Sequence, residues 1–554
     1  MKMNGSRILV EELIHQGVDV IFGYPGGAVL DIYDELYLAS DRIRHVLAAH
    51  EQGAAHAADG YARASGKTGV VLATSGPGAT NLVTGIANAY LDSVPMVAIT
   101  GNVAVPNLGK DSFQEVDIVG VTQPIVKHNY MVRDVRDLQR TIAEAFKIAN
   151  AGRKGPVLID IPKNVQKDEC EFIENITVPP LKKRRHSSSE NDMEAVLRMI
   201  REAKKPFIYA GGGVVASGAE EQVLELSKRL DAPVALSMMG LTSVPASYPL
   251  NLGMCGMHGR YAAIKAQSEC DLLIAVGVRF SDRATGDIGE YTKKCMTIHI
   301  DIDRAELGKN VNPDISMWGD VKEILNQILK EAPRCEHPEW LAQIEEYKNA
   351  QVLPAPAKFG PQTIIEEVNR HTKPETVVAT DVGQHQMWVM QYYNFEKPQT
   401  LLTSGGLGTM GYGLGAAIGG CIAVGGRRTV LFTGDGCFGM NLNEMATAVS
   451  QNLPITILVF NNDVLGMVRQ WQTIFYDGHY SSTTLDRKTD FPALAKAFGA
   501  EGYAAYTMDD LKRALEIADA SDGPVLIDCH IGMDEKVLPM IPPGRSVKEM
   551  IVKG

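Results

Sequence analysis

Two short polar motifs stand where buried strands of this sequence are predicted to end. Gly434-Asp435-Gly436 follows the apolar run Thr429–Phe432, and Asn461-Asn462 follows the run Ile455–Phe460, with 24 residues between the motifs. In a parallel sheet the two strand ends would lie on the same edge. A carboxylate and an amide oxygen there, with a loop carbonyl, form a hard oxygen site that suits Mg²⁺ and the oxygens of a diphosphate. The glycine motif alone would equally suit an ordinary turn between a strand and a helix.

The chain that must position these motifs has the composition of a globular protein. It has 554 residues, of which 45% are hydrophobic and 22% are charged, and it has room for three or four domains. Short apolar runs rich in β-branched residues alternate with helical patterns, which is typical of parallel α/β sheets. We therefore predict an α/β fold. Its predicted strands are Asp19–Phe22, Val70–Ala73, Met96–Thr100, Val157–Ile161, Phe207–Ala210, Leu272–Val276, Thr297–Ile300, Thr376–Ala379, Thr429–Phe432, Ile455–Phe460 and Val525–Asp528.

Two breaks in this alternation predict the domain boundaries. Pro, Ala and charged residues replace the periodic pattern at 176–190 and again at 349–361. The predicted domains cover residues 1–178, 190–348 and 360–554. The hexapeptide GPVLID occurs at 155–160 and again at 523–528, which indicates that the outer two domains share one fold and that the middle domain differs.

The charges give no reason to expect a nucleic acid or a membrane as partner. Lys and Arg total 54 and Asp and Glu total 66, so the net charge is −12. The one dense basic run, at 182–185, lies between a Pro pair and a Ser run, which favours a solvated linker over a binding patch. Residues 400–426 contain no charged residue and are long enough to span a membrane. Their many glycines favour instead a strand end, a glycine loop and a buried helix.

The eight cysteines are widely spaced and form no CxxC pair, unlike a disulfide framework or a zinc site. The first residues enter an amphipathic helix pattern and show no signal-peptide or transit-peptide pattern. We therefore expect reduced thiols and a cytoplasmic location.

The GDG motif and the NN motif at this spacing resemble the diphosphate-binding signature of thiamine diphosphate enzymes. The resemblance extends over nearly the whole chain to the acetohydroxyacid synthase (acetolactate synthase) catalytic-subunit family. The matching runs are GYPGGA (23–28), HEQGAAHAADGYARASG (50–66), SGPGATN (75–81), KDSFQE (110–115), GPVLIDIPK (155–163), GMHG (256–259), GVRFSDR (277–283), DVGQHQMW (381–388) and GMVRQWQ (466–472). It implies two related thiamine-diphosphate-binding domains that flank a middle FAD-binding domain.

The resemblance implies three cofactors: thiamine diphosphate, Mg²⁺ and FAD. The residues implied for thiamine diphosphate are Gly383, Gln384, His385, Gly408, Met410, Gly434, Asp435 and Gly436. Those implied for the metal are Asp435, Asn462 and Val464, and those implied for FAD are Gly211, Gly212, Gly213, Arg279, Asp301 and Asp320. In the middle domain a strand also runs into the glycines at 211–213 and a second strand ends in acids, which fits a dinucleotide. Glycine turns without a ligand remain the alternative there, and Met410 taken alone is an ordinary core methionine.

The catalytic residues implied by the resemblance are Glu51, Gly27, Gln114 and Lys163. Glu51 would face the aminopyrimidine ring of the cofactor across a domain interface. On sequence grounds alone it suits the first turn of a helix, where the helix dipole favours a carboxylate.

The residues implied for substrate are Phe113, Arg283, Met467, Val468 and Trp471. A guanidinium such as that of Arg283 binds the carboxylate of a 2-oxo acid acceptor in a bidentate manner. Trp471 would contact the alkyl group of the acceptor and favour 2-oxobutyrate over pyruvate. Without the family motif, Arg283 is a loop arginine beside Asp282 and Trp471 is a core residue.

The activity implied is an acetolactate synthase. It decarboxylates pyruvate and joins the two-carbon unit to a second pyruvate or to 2-oxobutyrate, for branched-chain amino acid synthesis. The alternatives are an FAD-dependent pyruvate oxidase or a 2-oxo acid decarboxylase of the same fold. The resemblance also implies a homodimer or homotetramer and a separate small regulatory subunit, and we expect the tail 537–545 to fold over the site.

Overall fold

The computed structural model describes residues 1–174, 176–179 and 190–553. The described residues form three six-stranded parallel sheets and one short antiparallel pair of strands. This confirms the predicted α/β class. The basic run at 182–185 and most of the predicted linker lie outside the described residues.

The first sheet is built by the N-terminal part of the chain. Its strands follow the order β3-β2-β4-β5-β7-β6, while β1 pairs with β8. The strands are β1 (Lys2–Asn4), β2 (Val20–Tyr24), β3 (Arg44–Leu47), β4 (Gly69–Ala73), β5 (Met96–Asn102), β6 (His128–Met131), β7 (Pro156–Pro162) and β8 (Glu169–Glu171). The helices are α1 (Gly5–His15), α2 (Leu30–Leu38), α3 (Glu51–Ser65), α4 (Pro77–Asn81), α5 (Val83–Asp92), α6 (Ile118–Thr122), α7 (Val135–Asn150) and α8 (Lys163–Lys167). Every residue of β4, β5 and β7 is buried, because helices cover both faces of the sheet.

The middle part of the chain builds a sheet in the order β11-β10-β9-β12-β13-β14. Its strands are β9 (Pro206–Ala210), β10 (Val234–Leu236), β11 (Asn251–Met254), β12 (Leu272–Val276), β13 (Met296–Asp301) and β14 (Ile315–Trp318). The helices are α9 (Glu190–Glu202), α10 (Gly212–Ser217), α11 (Glu220–Leu230), α12 (Tyr261–Glu269), α13 (Asp282–Thr285), α14 (Ile288–Tyr291), α15 (Val321–Glu331) and α16 (Pro338–Asn349). Numbered within this sheet the strand order is 3-2-1-4-5-6, the dinucleotide-binding arrangement, in which a ligand crevice opens where the order reverses, between β9 and β12.

The C-terminal part builds the third sheet, in the order β16-β15-β17-β18-β20-β19. Its strands are β15 (Val377–Thr380), β16 (Leu401–Leu402), β17 (Thr429–Gly434), β18 (Ile455–Asn461), β19 (Glu501–Ala505) and β20 (Val525–His530). The helices are α17 (Pro361–His371), α18 (Gln384–Tyr392), α19 (Tyr412–Ala423), α20 (Asp435–Asn441), α21 (Met445–Ser450), α22 (Gly466–Phe475), α23 (Phe491–Phe498) and α24 (Met508–Ala520). No described helix combines the length and apolarity needed to cross a bilayer; within 400–426 the structure has a strand, a glycine loop and the buried α19.

The outer sheets have the same topology. Numbered from β2 and from β15, both read 2-1-3-4-6-5. The two copies of GPVLID fall on the equivalent strands β7 and β20, as the repeat in the sequence predicts. The middle sheet has a different order.

The equivalence of the outer sheets extends to a buried pair of side chains. In the first sheet Asn102 donates its Nδ2 hydrogen to Asp160 at 2.6 Å, and in the third Asn461 donates to Asp528 at 3.3 Å. In each sheet the amide ends the fourth strand and the carboxylate lies in the neighbouring sixth strand. The repeated motif therefore preserves a polar contact as well as a fold.

Asp160 predicts a pH dependence of stability. Its side chain is fully buried. Burial raises its pKa to about 7, although the hydrogen bonds from Asn102 and Thr100 act to lower the pKa. A carboxyl whose pKa is higher in the folded chain than in the unfolded chain contributes stability at pH values below its unfolded pKa, and this contribution is lost as the pH rises toward 7. The free energy of unfolding lost in this way is on the order of 4 kcal/mol. We expect the thermal midpoint of the native chain to fall from pH 5 to pH 8 by more than that of Asp160→Asn, measured by calorimetry. Equal pH dependence in both proteins would contradict this.

Helices α3 and α19 join the first and third sheets within one chain. A Cβ on Gly60 would collide with the Ala416 carbonyl, and one on Gly419 would collide with the Ala57 carbonyl. The two helix backbones therefore touch, and glycine is required at the contact. This close packing fixes the first sheet against the third.

Candidate functional site

The carboxyl ends of β15, β17 and β18 lie side by side in the third sheet and carry the predicted diphosphate and metal residues. Asp435 accepts the backbone N–H of Gly436 at 2.8 Å and that of Asp463 at 2.9 Å. The N–H of Val464 donates to the Asn462 side-chain oxygen at 3.3 Å. The predicted metal residues are thus gathered at one sheet edge, as the GDG and NN spacing predicts.

A helix begins within the GDG motif. The motif alone suits an ordinary turn between a strand and a helix, but in the structure α20 begins at Asp435 and Gly434 is its N-cap residue. The carboxylate therefore occupies the first turn of the helix, where the helix dipole favours negative charge. Burial nevertheless raises the pKa of Asp435 to about 6, because a buried carboxylate without a counter-cation is destabilised. A divalent cation would supply that charge.

His385 indicates that an anionic ligand binds at the same sheet edge. Its ring is buried, its Nε2 has no hydrogen-bond partner, and burial lowers its pKa to about 3. The ring also lies next to the GDG backbone, since a Cβ on Gly434 would be 3.1 Å from His385 Nδ1. A buried polar atom without a partner is rare in native structures. An anionic diphosphate oxygen at this edge would favour the form of the ring that carries a proton on Nε2 and would accept a hydrogen bond from it, so His385 fits the group.

The glycine loop 403–411 connects β16 to α19 and carries Gly408 and Met410. Gly408 and Gly411 have φ of +70° and +87°, which require glycine. Asp381 fixes the end of the loop by accepting the N–H of Gly411 at 2.7 Å. Met410 approaches the GDG turn, with its Cε 3.8 Å from where a Cβ on Gly436 would lie.

The carboxyl edge of the first sheet gathers the predicted catalytic residues. The buried Glu51 begins α3 and accepts a hydrogen bond from Asn81 Nδ2 at 2.9 Å. Lys163 Nζ donates to the Gly27 carbonyl at 2.5 Å. Gln114, which has a φ of +58°, packs against Gly76 in the turn after β4. These residues and their contacts lie in the segments that follow five strands of one sheet, β2, β3, β4, β5 and β7.

A cavity of about 1010 Å³ runs from the middle sheet to the third sheet. Its volume suits a large organic cofactor. Among the predicted residues, those that line it are Gly212, Gly213, Arg279, Asp301, Asp320, Gly383, Gly408, Arg283, Met467, Val468 and Trp471. Burial raises the pKa of Asp301 to about 6, and Asp320 accepts the Ser217 hydroxyl at 2.9 Å. Gly211 is not part of the lining; a Cβ there would collide with the Gly277 carbonyl.

Arg283 and Trp471 meet at one end of this cavity. The Arg283 guanidinium lies over the indole ring of Trp471 at 5.3 Å, and its nearest carboxylate, Asp282, is 3.9 Å away. Met467 and Val468 lie one turn earlier on α22. An arginine that is held by an aromatic ring and only loosely paired is available to a ligand carboxylate.

The C-terminal tail packs beside this pair. Val537 exchanges two hydrogen bonds with the Gln470 side chain, and the N–H of Ile541 donates to the Met257 carbonyl at 2.9 Å. Leu538 and Met540 are buried in a cluster that also includes Trp471. Residues 537–541 are therefore not a solvated terminus. They pack against α22.

The large cavity does not reach the predicted catalytic residues of the first sheet. Among the described residues the lining of the large cavity includes none of Glu51, Gly27, Phe113, Gln114 or Lys163. Phe113, at the first sheet edge, is 86% exposed. Met440, Leu407 and Val468, at the third sheet edge, are also exposed. The predicted residues therefore form two groups, one at each sheet edge, which we call half-sites; exposed apolar side chains lie near both.

Two residues with a clear place in the site were not predicted. Asn81 holds Glu51, and its position within the SGPGATN run was the available signal. Glu444, in the short segment between α20 and α21, accepts the N–H groups of Ala49 and His50 and so caps the start of α3. Burial raises the pKa of Glu444. No local pattern could have shown this, since the partners are almost 400 residues apart in the chain.

This fold and these half-sites define a thiamine diphosphate enzyme, and comparison with known families agrees. Residues 3–121, 193–328 and 381–529 match, respectively, the N-terminal TPP binding domain, the central domain and the C-terminal TPP binding domain described for thiamine pyrophosphate enzymes.

Comparison with individual proteins identifies the family within this class. The acetolactate synthase large subunit of Cyanidium caldarium is 45% identical, covering 99% of this chain and 96% of the relative. The acetolactate synthase isozyme 2 large subunit of Escherichia coli K12 is 43% identical over the full length of both chains. The large subunit of Corynebacterium glutamicum is 43% identical, covering 98% of this chain and 89% of the relative. The chain belongs to the acetolactate synthase large-subunit family.

Proposed function

We propose that the chain decarboxylates pyruvate and joins the two-carbon unit to the keto carbon of a second pyruvate or of 2-oxobutyrate. The products are 2-acetolactate and 2-aceto-2-hydroxybutyrate. The observation that carries the proposal is the Arg283–Trp471 pair beside the third-sheet half-site, since it offers a cation for an acceptor carboxylate and an apolar wall for its alkyl group. An oxidase or a simple decarboxylase needs no such acceptor site, and the relatives support neither alternative.

The proposed roles follow from the chemistry of the side chains. Bound thiamine diphosphate supplies the nucleophilic carbon and the electron sink for decarboxylation. Asp435, Asn462 and the Val464 carbonyl hold Mg²⁺ and, with the residues at 383–385, the diphosphate. Glu51, oriented by Asn81, holds the proton that the aminopyrimidine ring shares. Gly27, Gln114, Lys163 and Phe113 line the approach of the substrate.

FAD is proposed for the middle sheet. The strand order there, the crevice between β9 and β12 and the acidic strand ends support a dinucleotide. The proposed reaction needs no electron transfer, so the role assigned to FAD is structural.

A homodimer is proposed as the smallest active unit. The lining of the large cavity supports it, because it includes none of the proposed catalytic residues of the first sheet, and a second chain would bring its own Glu51 to that cavity. The exposed Phe113 and Met440 supply apolar surface for that contact. A homotetramer is compatible with the same contact, and the name large subunit among the relatives supports a separate small subunit.

The proposed function is tested by the products. The protein is incubated with thiamine diphosphate, Mg²⁺, FAD and pyruvate, with and without 2-oxobutyrate, and the products are resolved by mass spectrometry. We expect acetohydroxy acids, with 2-oxobutyrate outcompeting pyruvate as acceptor. Acetate or acetaldehyde as the main product would overturn the ligase activity and the role of Arg283.

Trp471 should determine the choice of acceptor. Trp471→Leu removes the wall that contacts the extra methylene of 2-oxobutyrate and the ring on which Arg283 rests. A methylene in an apolar pocket contributes about 1–3 kcal/mol, so the preference for 2-oxobutyrate should fall about 10-fold. Phe475→Leu, on the same helix and in edge contact with Trp471 at 5.6 Å, is the control. An unchanged product ratio in competition assays of Trp471→Leu would refute the role.

A further inference from the structure

The glycine loop 403–411 is held by side chains of the first sheet's helix α5. The backbone N–H groups of Gly405 and Gly406 donate to the two oxygens of Asp92, at 3.0 Å and 2.7 Å. Gly405 and Gly406 are exposed, whereas the carboxylate of Asp92 is fully buried. One carboxylate from another domain thus fixes two successive peptide groups in a segment that has no helix or strand bonds of its own.

Asn88, one turn earlier on α5, holds both ends of the same loop. Its side-chain oxygen accepts the Ser404 hydroxyl at 2.5 Å and the Thr409 hydroxyl at 3.4 Å. The Ser404 hydroxyl in turn accepts the N–H of Thr409 at 2.9 Å. Asn88 therefore connects Ser404 to Thr409, the residue that precedes Met410.

A buried charge network keeps Asp92 and Asn88 in place. Arg63 on α3 donates to Asp59 at 2.6 Å and to Asp92 at 2.9 Å, and Asn88 Nδ2 donates to Asp59 at 3.2 Å. The Tyr412 hydroxyl, at the start of α19, donates to Asp59 at 2.7 Å. One guanidinium faces two buried carboxylates, so one negative charge is left over. The two N–H groups of the glycine loop supply the donors that stabilise it.

We propose that Asp92 and Asn88 are positioning residues for the cofactor: they hold the glycine loop in the conformation in which Gly408 and Met410 receive thiamine diphosphate. This inference rests on the proposed function. Four hydrogen bonds link the loop to α5. Residues 405–408 of the loop are exposed and lie in no helix or strand, so the bonds from the first domain order this part of the loop before the cofactor binds. Pre-organisation of this kind raises affinity by lowering the entropy lost on binding.

Asp92→Asn separates this role from general stability. The amide keeps one acceptor oxygen for the loop and removes the unbalanced charge, which leaves Arg63 paired with Asp59. The fold is expected to survive while one loop N–H loses its partner. Asn88→Ala is the second variant, because it removes the acceptor for Ser404 and Thr409 without changing any charge. Asp19→Asn is the matched control: Asp19 pairs with Lys67 and accepts from Tyr61 of α3, but it makes no contact with the loop.

The experiment measures loop exchange and cofactor affinity on the full chain. Hydrogen exchange followed by mass spectrometry reports on the amides of 404–411 without cofactor, and calorimetry gives the Kd for thiamine diphosphate with Mg²⁺ present. For Asp92→Asn and Asn88→Ala we expect exchange of this peptide at least about 10-fold faster and a Kd about 10-fold higher. The thermal midpoint should change little, and Asp19→Asn should match the native chain in all three measurements.

Native exchange and native affinity in both variants would overturn the inference. A higher Kd with unchanged exchange of the loop would also overturn it, because the effect would then not pass through the loop. If the native chain binds no thiamine diphosphate, the proposed function fails, while faster exchange in the variants would still show that α5 holds the loop. If Asp92→Asn does not fold, Asn88→Ala decides.

Discussion

Glu51→Gln is expected to lower kcat by about 10²–10⁴-fold, the usual contribution of a positioned proton-transfer group. Glutamine has the shape of glutamate and can still accept the hydrogen bond from Asn81. It cannot hold or release the proton that the proposed role requires. The cap that Glu444 provides for α3 uses backbone groups of Ala49 and His50 and is untouched. The loss should therefore appear in turnover and not in folding.

The measurement combines turnover with cofactor affinity. The Kd for thiamine diphosphate should stay within a few-fold of the native value, because the diphosphate and metal residues are unchanged. Glu35→Gln is the control: this carboxylate on α2 accepts a hydrogen bond from Asn4 and has no proposed role in catalysis, so the same chemical change should leave kcat unaltered. If Glu51→Gln keeps more than one-tenth of native turnover with cofactor bound, the proton role is refuted.

The parts of the fold that the sequence predicts well are the buried central strands. All eleven predicted strands are present, because continuous apolar runs such as Ile455–Phe460 are buried on both faces and bounded by polar or glycine residues. The short edge strands β3, β6, β11, β14, β16 and β19 were missed, along with β1, β8 and β10. Most of these edge strands are partly exposed and contain polar residues, so their sequences lack the apolar run that identifies a central strand. The apolar strands β10 and β16 have only three and two residues, too few to form such a run.

The candidate site shows the same division between local and distant information. Asp435 and Asn462 could be placed together from the sequence, since each ends a parallel strand and the order of elements brings those ends to one edge. The start of α20 at Asp435 could not, because nothing in the GDG motif distinguishes a turn from a helix N-terminus. Asp92 and Glu444 could not be found either: their partners lie 313 to 395 residues away in the chain, and only the packing of α3 on α19 brings them together.

Asp435→Asn should produce two effects of opposite sign, and their combination identifies a metal ligand. Without cofactors the buried carboxylate has no counter-cation, and burial raises its pKa to about 6. At pH 7.5 its charged form therefore lowers the stability of the folded chain. The neutral amide removes this cost, which outweighs the loss of one of the two oxygens that accept the N–H groups of Gly436 and Asp463. The thermal midpoint of the cofactor-free variant should therefore equal or exceed that of the native chain.

With Mg²⁺ and thiamine diphosphate present the order reverses. The native chain gains stability in proportion to ligand occupancy, whereas the variant has lost the one charged ligand among the proposed metal residues. Its Kd for Mg²⁺ should rise about 100-fold or more, which corresponds to about 2.7 kcal/mol. Calorimetric scans with and without the two ligands measure both effects. Asp528→Asn, at a buried carboxylate in β20, which is separated from β17 by β18, should keep the full ligand-dependent rise. An equal rise in Asp435→Asn would show that the cation binds elsewhere, because a residue whose only role is structural would not change the response to Mg²⁺.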